Sequence, residues 1–199
     1  MKQNPVIKNI MERESCRKFK KNPLSQEDID TIVTAGTYAP SAGGRQPWQI
    51  AVVTNPEIIQ LISDESAIGM AKALANETDA TRHKGNFTSM PVLGGEYLAP
   101  LLIMIFEPKE RTQDAASHLA AENMMLAAWS LGIASCWLGA VNATVIQKNL
   151  EDPQGSPLIQ QLLPDGCHLV CTLAFGYADE AGFRHPRLER RKDNVRYFQ

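Results

Sequence analysis

The chain has 199 residues, 44% hydrophobic and 21% charged, with a formal net charge of -2. That length suits one domain able to bury a core without metals or disulfides, and the near-neutral balance supplies no global field for nucleic acid or an anionic membrane. No apolar run approaches the roughly 18 residues of a membrane span, and the first apolar residues are scattered among Lys2, Lys8, Glu12 and Arg13 rather than gathered into a signal peptide. The cysteines, Cys16, Cys136, Cys167 and Cys171, contain no CxxC pair. If Cys167 and Cys171 share a strand they stand roughly 13 Å apart, too far for a disulfide. Free thiols and a cytoplasmic location are expected.

Residues 5–13 suit a short helix with Pro5 in its first turn. A basic, irregular stretch follows at 15–22. Ser25 can cap the next helix, with Asp28 three residues on as an acidic variant of the capping box. Ile29, Ile32, Val33 and Gly36 share one face, so this helix is expected to run to Tyr38 and to end at Pro40. The loop 39–48, APSAGGRQPW, then joins it to a strand at 50–54. Asn55 and Pro56 close that strand and open a helix toward Ile62, and 64–78 reads as a second helix with Ile68, Ala71, Leu74 and Ala75 on its apolar side.

Residues 78–100, with Gly85, Pro91, Gly94 and Gly95, lack a periodic pattern and read as a variable loop or lid. Residues 101–106 form a continuous apolar strand ended by Pro108 and Lys109. The longest helical pattern runs from 112 to 131. Its centre, 124–129, is apolar nearly all round, which predicts burial on several sides, one of them against a second subunit. A short strand at 135–138, short helices at 144–149 and 157–163, and a buried strand at 167–175 follow. The arm 178–199 is polar and carries Arg184, Arg187, Arg190, Arg191 and Arg196. Without repeats or linkers, helices alternating with buried strands predict one α/β or α+β domain over 1–199.

Two segments hold unusual side-chain sets. Residues 13–19, RESCRKF, read either as a solvated basic turn or as an anion site, because the guanidinium fork makes paired, charge-assisted bonds to phosphate. The loop 39–48 reads either as a tight connection or as a cradle for a planar polar ligand. Small residues permit close approach, and a connection alone leaves Ser41, Arg45 and Gln46 without a reason. Glu122 either faces water or caps a neighbour, and Trp137 reads as packing. Cys136 is a weak candidate nucleophile, since no histidine lies near it in sequence. His83, His118, His168 and His185 show no metal-ligand spacing. GxGxxG and P-loop patterns are absent, and Ser41 and Ser135 lack the G-x-S-x-G elbow.

Four stretches in order resemble the nitroreductase family of FMN-dependent flavoproteins. RESCRKF at 13–19 is similar to the family's pattern of Arg-Arg-Ser, an aliphatic residue, Arg, any residue, Phe. PSAGGRQPW at 40–48 resembles its helix-to-strand loop. ENMMLAA at 122–128 followed by LGIASCWLG at 131–139 is the third match, and FGY at 175–177 with HPR at 185–187 is the fourth. In this chain Glu14 stands where an arginine is frequent, Gly44 where asparagine is, and His185 where a lysine is common.

The resemblance implies an α+β fold with a mixed central sheet flanked by helices, in an intertwined homodimer built on the long helix. It implies two FMN sites, each formed by both chains. Arg13 and Arg187 would hold the phosphate, with Ser15 and Arg17 assisting and Glu14 and His185 beside them. Pro40, Ser41, Ala42, Gly43, Gly44 and Gln46 would line the flavin from the other chain, and Leu138 and Gly139 would pass near its ring. The activity implied is an NAD(P)H-dependent oxidoreductase: NADH or NADPH reduces the flavin at N5, and a nitroaromatic, quinone or flavin then reoxidises it, by ping-pong kinetics. No catalytic side chain and no metal are called for. The alternatives are a specialised flavoprotein of the same fold (dehalogenation, flavin destruction or peptide maturation) and a non-catalytic FMN-binding dimer.

Overall fold

An unbroken apolar strand needs cover on both faces, and the run beginning at Leu101 receives it. The computed structural model describes residues 4–76 (backbone alone for 67–76), 99–110, 115–139, 149–179, 189–190 and 194–198. Its sheet has four strands, β1 (Gln49–Val53), β2 (Leu101–Pro108), β3 (Ala134–Leu138) and β4 (Cys167–Gly176), in the order β1-β2-β4-β3. All three pairings are antiparallel. The parallel component of the expected mixed sheet is a single bridge between Ser15 and Ser135 on the outer side of β3. A bulge shifts the β2–β4 register between Ile105 and Phe106, so that Ile105 faces Cys171 and Phe106 faces Leu169.

Alternation along the strands separates two cores. Leu101, Ile103 and Ile105 of β2 join Cys171, Leu173 and Phe175 of β4 under helices α2 (Gln26–Thr37) and α4 (Ala116–Ser130). Leu102, Met104 and Phe106 join Ala134, Cys136 and Leu138 of β3 on the other face. There they meet Ile58, Ile59 and Ile62 of α3 (Pro56–Asn76), together with Ile159 of the short helix Pro157–Gln160. The α+β expectation holds as two helical layers around one sheet.

Local chemistry sets most helix ends. Asn4 caps α1 (Pro5–Glu12), its Oδ1 accepting from the Ile7 N–H at 2.9 Å. Ser25 caps α2: its Oγ accepts from the Asp28 N–H at 3.1 Å and donates to Asp28 Oδ2 at 2.7 Å. The helices expected at 55–62 and 64–78 are one helix, α3, whose described backbone runs unbroken to Asn76. No glycine or proline interrupts 62–65, so nothing there stops it. At 21 residues α3, not the 15-residue α4, is the longest helix described. Helix α4 begins at Ala116 rather than near 112, with no side-chain cap from Ala115. Its cap comes from across the fold, where buried Glu107 at the end of β2 accepts from the Ser117 N–H at 3.3 Å. A carboxylate at this positive helix end is favourable in sign. The expected helix at 144–149 is described only from 149, where the backbone is helical to 151.

Helix α2 approaches α4 closely enough that Gly36 has no room for a side chain. An added Cβ would meet Met124 at both its terminal methyl and its Cγ, the latter at 2.8 Å. Met124 is 0% exposed, so it has nowhere to retreat. Gly36→Ala should therefore cost about 1–3 kcal/mol by overpacking. A thermal melt showing no loss of Tm would contradict this account of the contact.

Candidate functional site

Residues 13–20 leave α1 and cross the end of the sheet. The Cys16 N–H donates to the Ser135 carbonyl at 2.9 Å, and the Lys20 N–H to that of Tyr177 at 2.8 Å. The Asp179 N–H donates to the Lys18 carbonyl at 3.1 Å, and Lys18 Nζ pairs with Asp179 Oδ2 at 3.0 Å. Buried Phe19 sets the close approach. A Cβ on Gly176 would stand 2.7 Å from Pro100 and 3.1 Å from Phe19. The segment is thus strapped to β3 and to the extension of β4, with Arg13, Glu14, Ser15 and Arg17 half-buried at this corner.

Cys136 of β3 lies within the electrostatic influence of both arginines. Burial pushes its thiol up to about 11, and Arg17 and then Arg13 act in the opposite direction. Both guanidiniums are therefore felt at the middle of β3. Among the described residues neither Arg13 nor Arg17 makes an ion pair. The protonated thiol this leaves at neutral pH agrees with the weak reading of Cys136 as a nucleophile. All four cysteines are free and buried, and Cys167 and Cys171 share β4.

Ser135, which the sequence sets aside only as a hydrolase serine, pairs with Ser15 through the backbone; it is 0% exposed, its Oγ has no hydrogen-bond partner among the described residues, and alternation along β3 turns it to the Trp137 face, away from Cys136. Nothing in the local pattern SCW signals this, because the bridge joins positions far apart in sequence. Trp137 packs as expected, half-buried, stacked on His118 with ring centroids 5.6 Å apart. Glu122 is exposed, and the Asn123 side-chain amide donates to the Ala35 carbonyl at 3.2 Å. Leu138 is 3% exposed with its side chain in the core. A ligand here would meet its backbone and the exposed Gly139.

The second candidate segment is a loop shaped by its backbone. Ser41 precedes a one-turn 3-10 helix at Ala42–Gly44, and its Oγ accepts from the Gln46 N–H at 3.0 Å. Gly43, Gly44 and Gln46 have φ of 62°, 65° and 47°. The left-handed conformation at Gln46, which is not glycine, costs on the order of 1 kcal/mol and marks a position over-determined by its surroundings. Pro47 and Trp48 anchor the loop in the core, while Pro40, Ala42, Gly43, Gly44, Arg45 and Gln46 are exposed and Ser41 is half-buried. A Cβ at Gly44 would meet no atom within 4 Å, so space lies open in front of it.

The two segments are not brought together within one chain. The loop precedes β1 at one edge of the sheet, and the arginines lie beyond β3 at the other. Three strand spacings separate these edges by about 14 Å. They also sit at opposite ends of the strands: Gln49 faces Phe106, whereas Ser135 faces Phe175, itself opposite Leu101. His185 and Arg187 lie outside the described residues, as do residues 78–98 of the expected lid and most of the arm 178–199. Among the described residues no cluster of metal-ligating side chains occurs, and no helix is long and apolar enough to cross a membrane.

Comparison with known proteins decides the family. The model of the nitroreductase family matches residues 10–177. The chain belongs to the nitroreductase family. An Archaeoglobus fulgidus protein provisionally named an NADH dehydrogenase/NAD(P)H nitroreductase is 30% identical over 185 residues, 89% of this chain and 88% of its own. A crystal structure of a nitroreductase with bound FMN from Desulfitobacterium hafniense superposes with a TM-score of 0.82 at 27% identity, covering both chains fully. Rat iodotyrosine deiodinase 1 is 30% identical over 115 residues, 54% of this chain and 38% of its own. The nitroreductase fold seen here agrees with the α+β expectation.

Proposed function

We propose that the protein is an FMN-dependent oxidoreductase that takes electrons from NADH or NADPH and passes them to an oxidised small molecule. The observation that carries this reading is the strapped segment at the end of the sheet, which puts half-buried Arg13, Ser15 and Arg17 at one corner, neither arginine being ion-paired among the described residues. An anionic phosphate with hydroxyl-bearing carbons next to it fits that donor set. The glycine loop, with open space before Gly44, fits a flat ring. The FMN bound by the Desulfitobacterium hafniense relative has both parts.

FMN held there would supply the hydride chemistry that the side chains lack. Arg13 and Arg17, with Arg187 as the resemblance implies, would hold the phosphate, and Ser15 would take the adjoining hydroxyls. Gly43 and Gly44 let the backbone approach the ring, while Gln46, fixed by the Ser41 hydroxyl, presents its amide to the ring edge. Positive charge and backbone N–H groups at this corner and loop would favour added negative charge on a bound flavin, and a reductant and an acceptor sharing one face would give ping-pong kinetics.

Because the two segments lie at opposite corners, the site is completed by a second copy. Helix α1 is amphipathic yet buries no residue among those described, with Val6, Ile10 and Met11 exposed; it meets α4 through the Asn9 amide and the Leu126 carbonyl, and Leu119 of α4 and Leu131 at its end are exposed too. A dimer covers these surfaces. The purified protein should be yellow, and NADH or NADPH should bleach it under anaerobic conditions. A colourless protein that takes up no added FMN would refute the cofactor. A yellow protein that neither dinucleotide bleaches would refute the reductant.

The deiodinase relative favours a second reading, reductive dehalogenation of a halogenated aromatic at the same flavin. Release of halide from an iodinated phenol by the reduced protein, faster than reduction of a nitroaromatic or a quinone, would replace the first reading with it.

A further inference from the structure

Arg45 stands exposed in the glycine loop, and among the described residues it makes no ion pair. Its backbone is helical, φ -75° and ψ -19°, between left-handed Gly44 and left-handed Gln46. That alternation fixes the direction in which the side chain leaves the loop. The stem folds back over Gly43, with Cγ and Nε 3.9 and 3.7 Å from where a Cβ would be. The guanidinium thus stands on the glycine side of the loop, next to the open space before Gly44. It is not a ligand for the phosphate of its own chain's arginine corner, which lies at the opposite edge of the sheet. With a net charge of -2, the protein as a whole does not draw anions in, so attraction of an anionic reactant depends on local cations.

We propose that Arg45 determines specificity for the diffusing reactants by binding an oxyanion on them: a phosphate of the nicotinamide dinucleotide or a carboxylate on the acceptor. The inference rests on the FMN reading and deepens it. A planar fork suits either group, whereas a lysine would meet it only as a point charge.

The test compares the parent holoprotein with Arg45→Ala and Arg45→Lys. Calorimetry measures binding of NADP+ and NAD+, and steady-state assays give KM and kcat for 4-nitrobenzoate against nitrobenzene. Arg45→Ala should weaken the anion it holds by roughly tenfold, with kcat and FMN content unchanged and Arg45→Lys restoring part of the loss. Loss confined to NADP+ assigns the 2′-phosphate, equal loss for both dinucleotides assigns the pyrophosphate, and a raised KM for nitrobenzoate alone assigns the acceptor. Changes below twofold throughout, or a loss of FMN parallel to the loss of binding, would overturn the proposal. Absence of bleaching in the parent would refute the oxidoreductase reading instead, and the calorimetric comparison would still decide the role of Arg45.

Discussion

Two variants that each fail to hold FMN should regain it when their subunits are mixed. The first is Arg13→Ala with Arg17→Ala, which empties the cationic corner but leaves the loop intact. The second is Gly44→Leu. Position 44 has φ 65°, and a Cβ there meets no atom within 4 Å. The added side chain strains the backbone by about 1–2 kcal/mol without crowding the fold, and it would fill the space proposed for the ring. In a symmetric dimer whose sites combine the corner of one chain with the loop of the other, a mixed dimer has one site broken twice and one site intact. Random exchange at equal amounts makes half the dimers mixed, so about a quarter of the sites should return. FMN content after desalting reads this directly, with mass-tagged subunits to verify exchange. Verified exchange without recovery would mean that each site belongs to a single chain, against the separation of β1 and β3 across the sheet.

What could be read from the sequence was whatever neighbouring residues settle among themselves. Ser25 and Asp28 cap α2 by a contact three residues long, and the apolar run at 101–106 becomes the doubly covered β2. Errors arose where a distant residue decides. Helix α4 starts at Ala116, where Glu107, ten residues earlier on another element, accepts from the Ser117 N–H. The apolar pattern divides α3 in two, although no breaker separates its halves. The candidate site shows the same division. Each segment stands out by its own side chains, but strand order alone places them at opposite corners, and the Ser15–Ser135 backbone bridge that straps the first of them to β3 joins positions far apart in sequence. The antiparallel pairing of β3 with β4 carried no local signal at all.

Replacing Arg187 or Arg13 by alanine should weaken FMN binding by roughly ten- to a hundredfold. Each guanidinium would lose a charge-assisted bond to a largely dianionic phosphate, worth about 1.5–3 kcal/mol, and 1.4 kcal/mol is about a factor of ten. For Arg13 the structure provides the setting, a half-buried guanidinium strapped beside Ser15 and close enough to Cys136 to act on its thiol. Arg187 lies outside the described residues, and its part in the phosphate site is what the family resemblance implies. Turnover should survive in both variants, because the phosphate end lies far from the reacting edge of the flavin. The proteins should purify pale and regain activity with excess FMN. Arg190 is exposed and serves as the control, its alanine variant binding as the parent does. Titration of the apoproteins with FMN, followed by flavin fluorescence, measures all three. Parental affinity in the Arg187 variant alone would remove the C-terminal segment from the phosphate site and leave Arg13 and Arg17 as its cationic ligands, whereas parental affinity in the Arg13 variant as well would move the phosphate away from this corner.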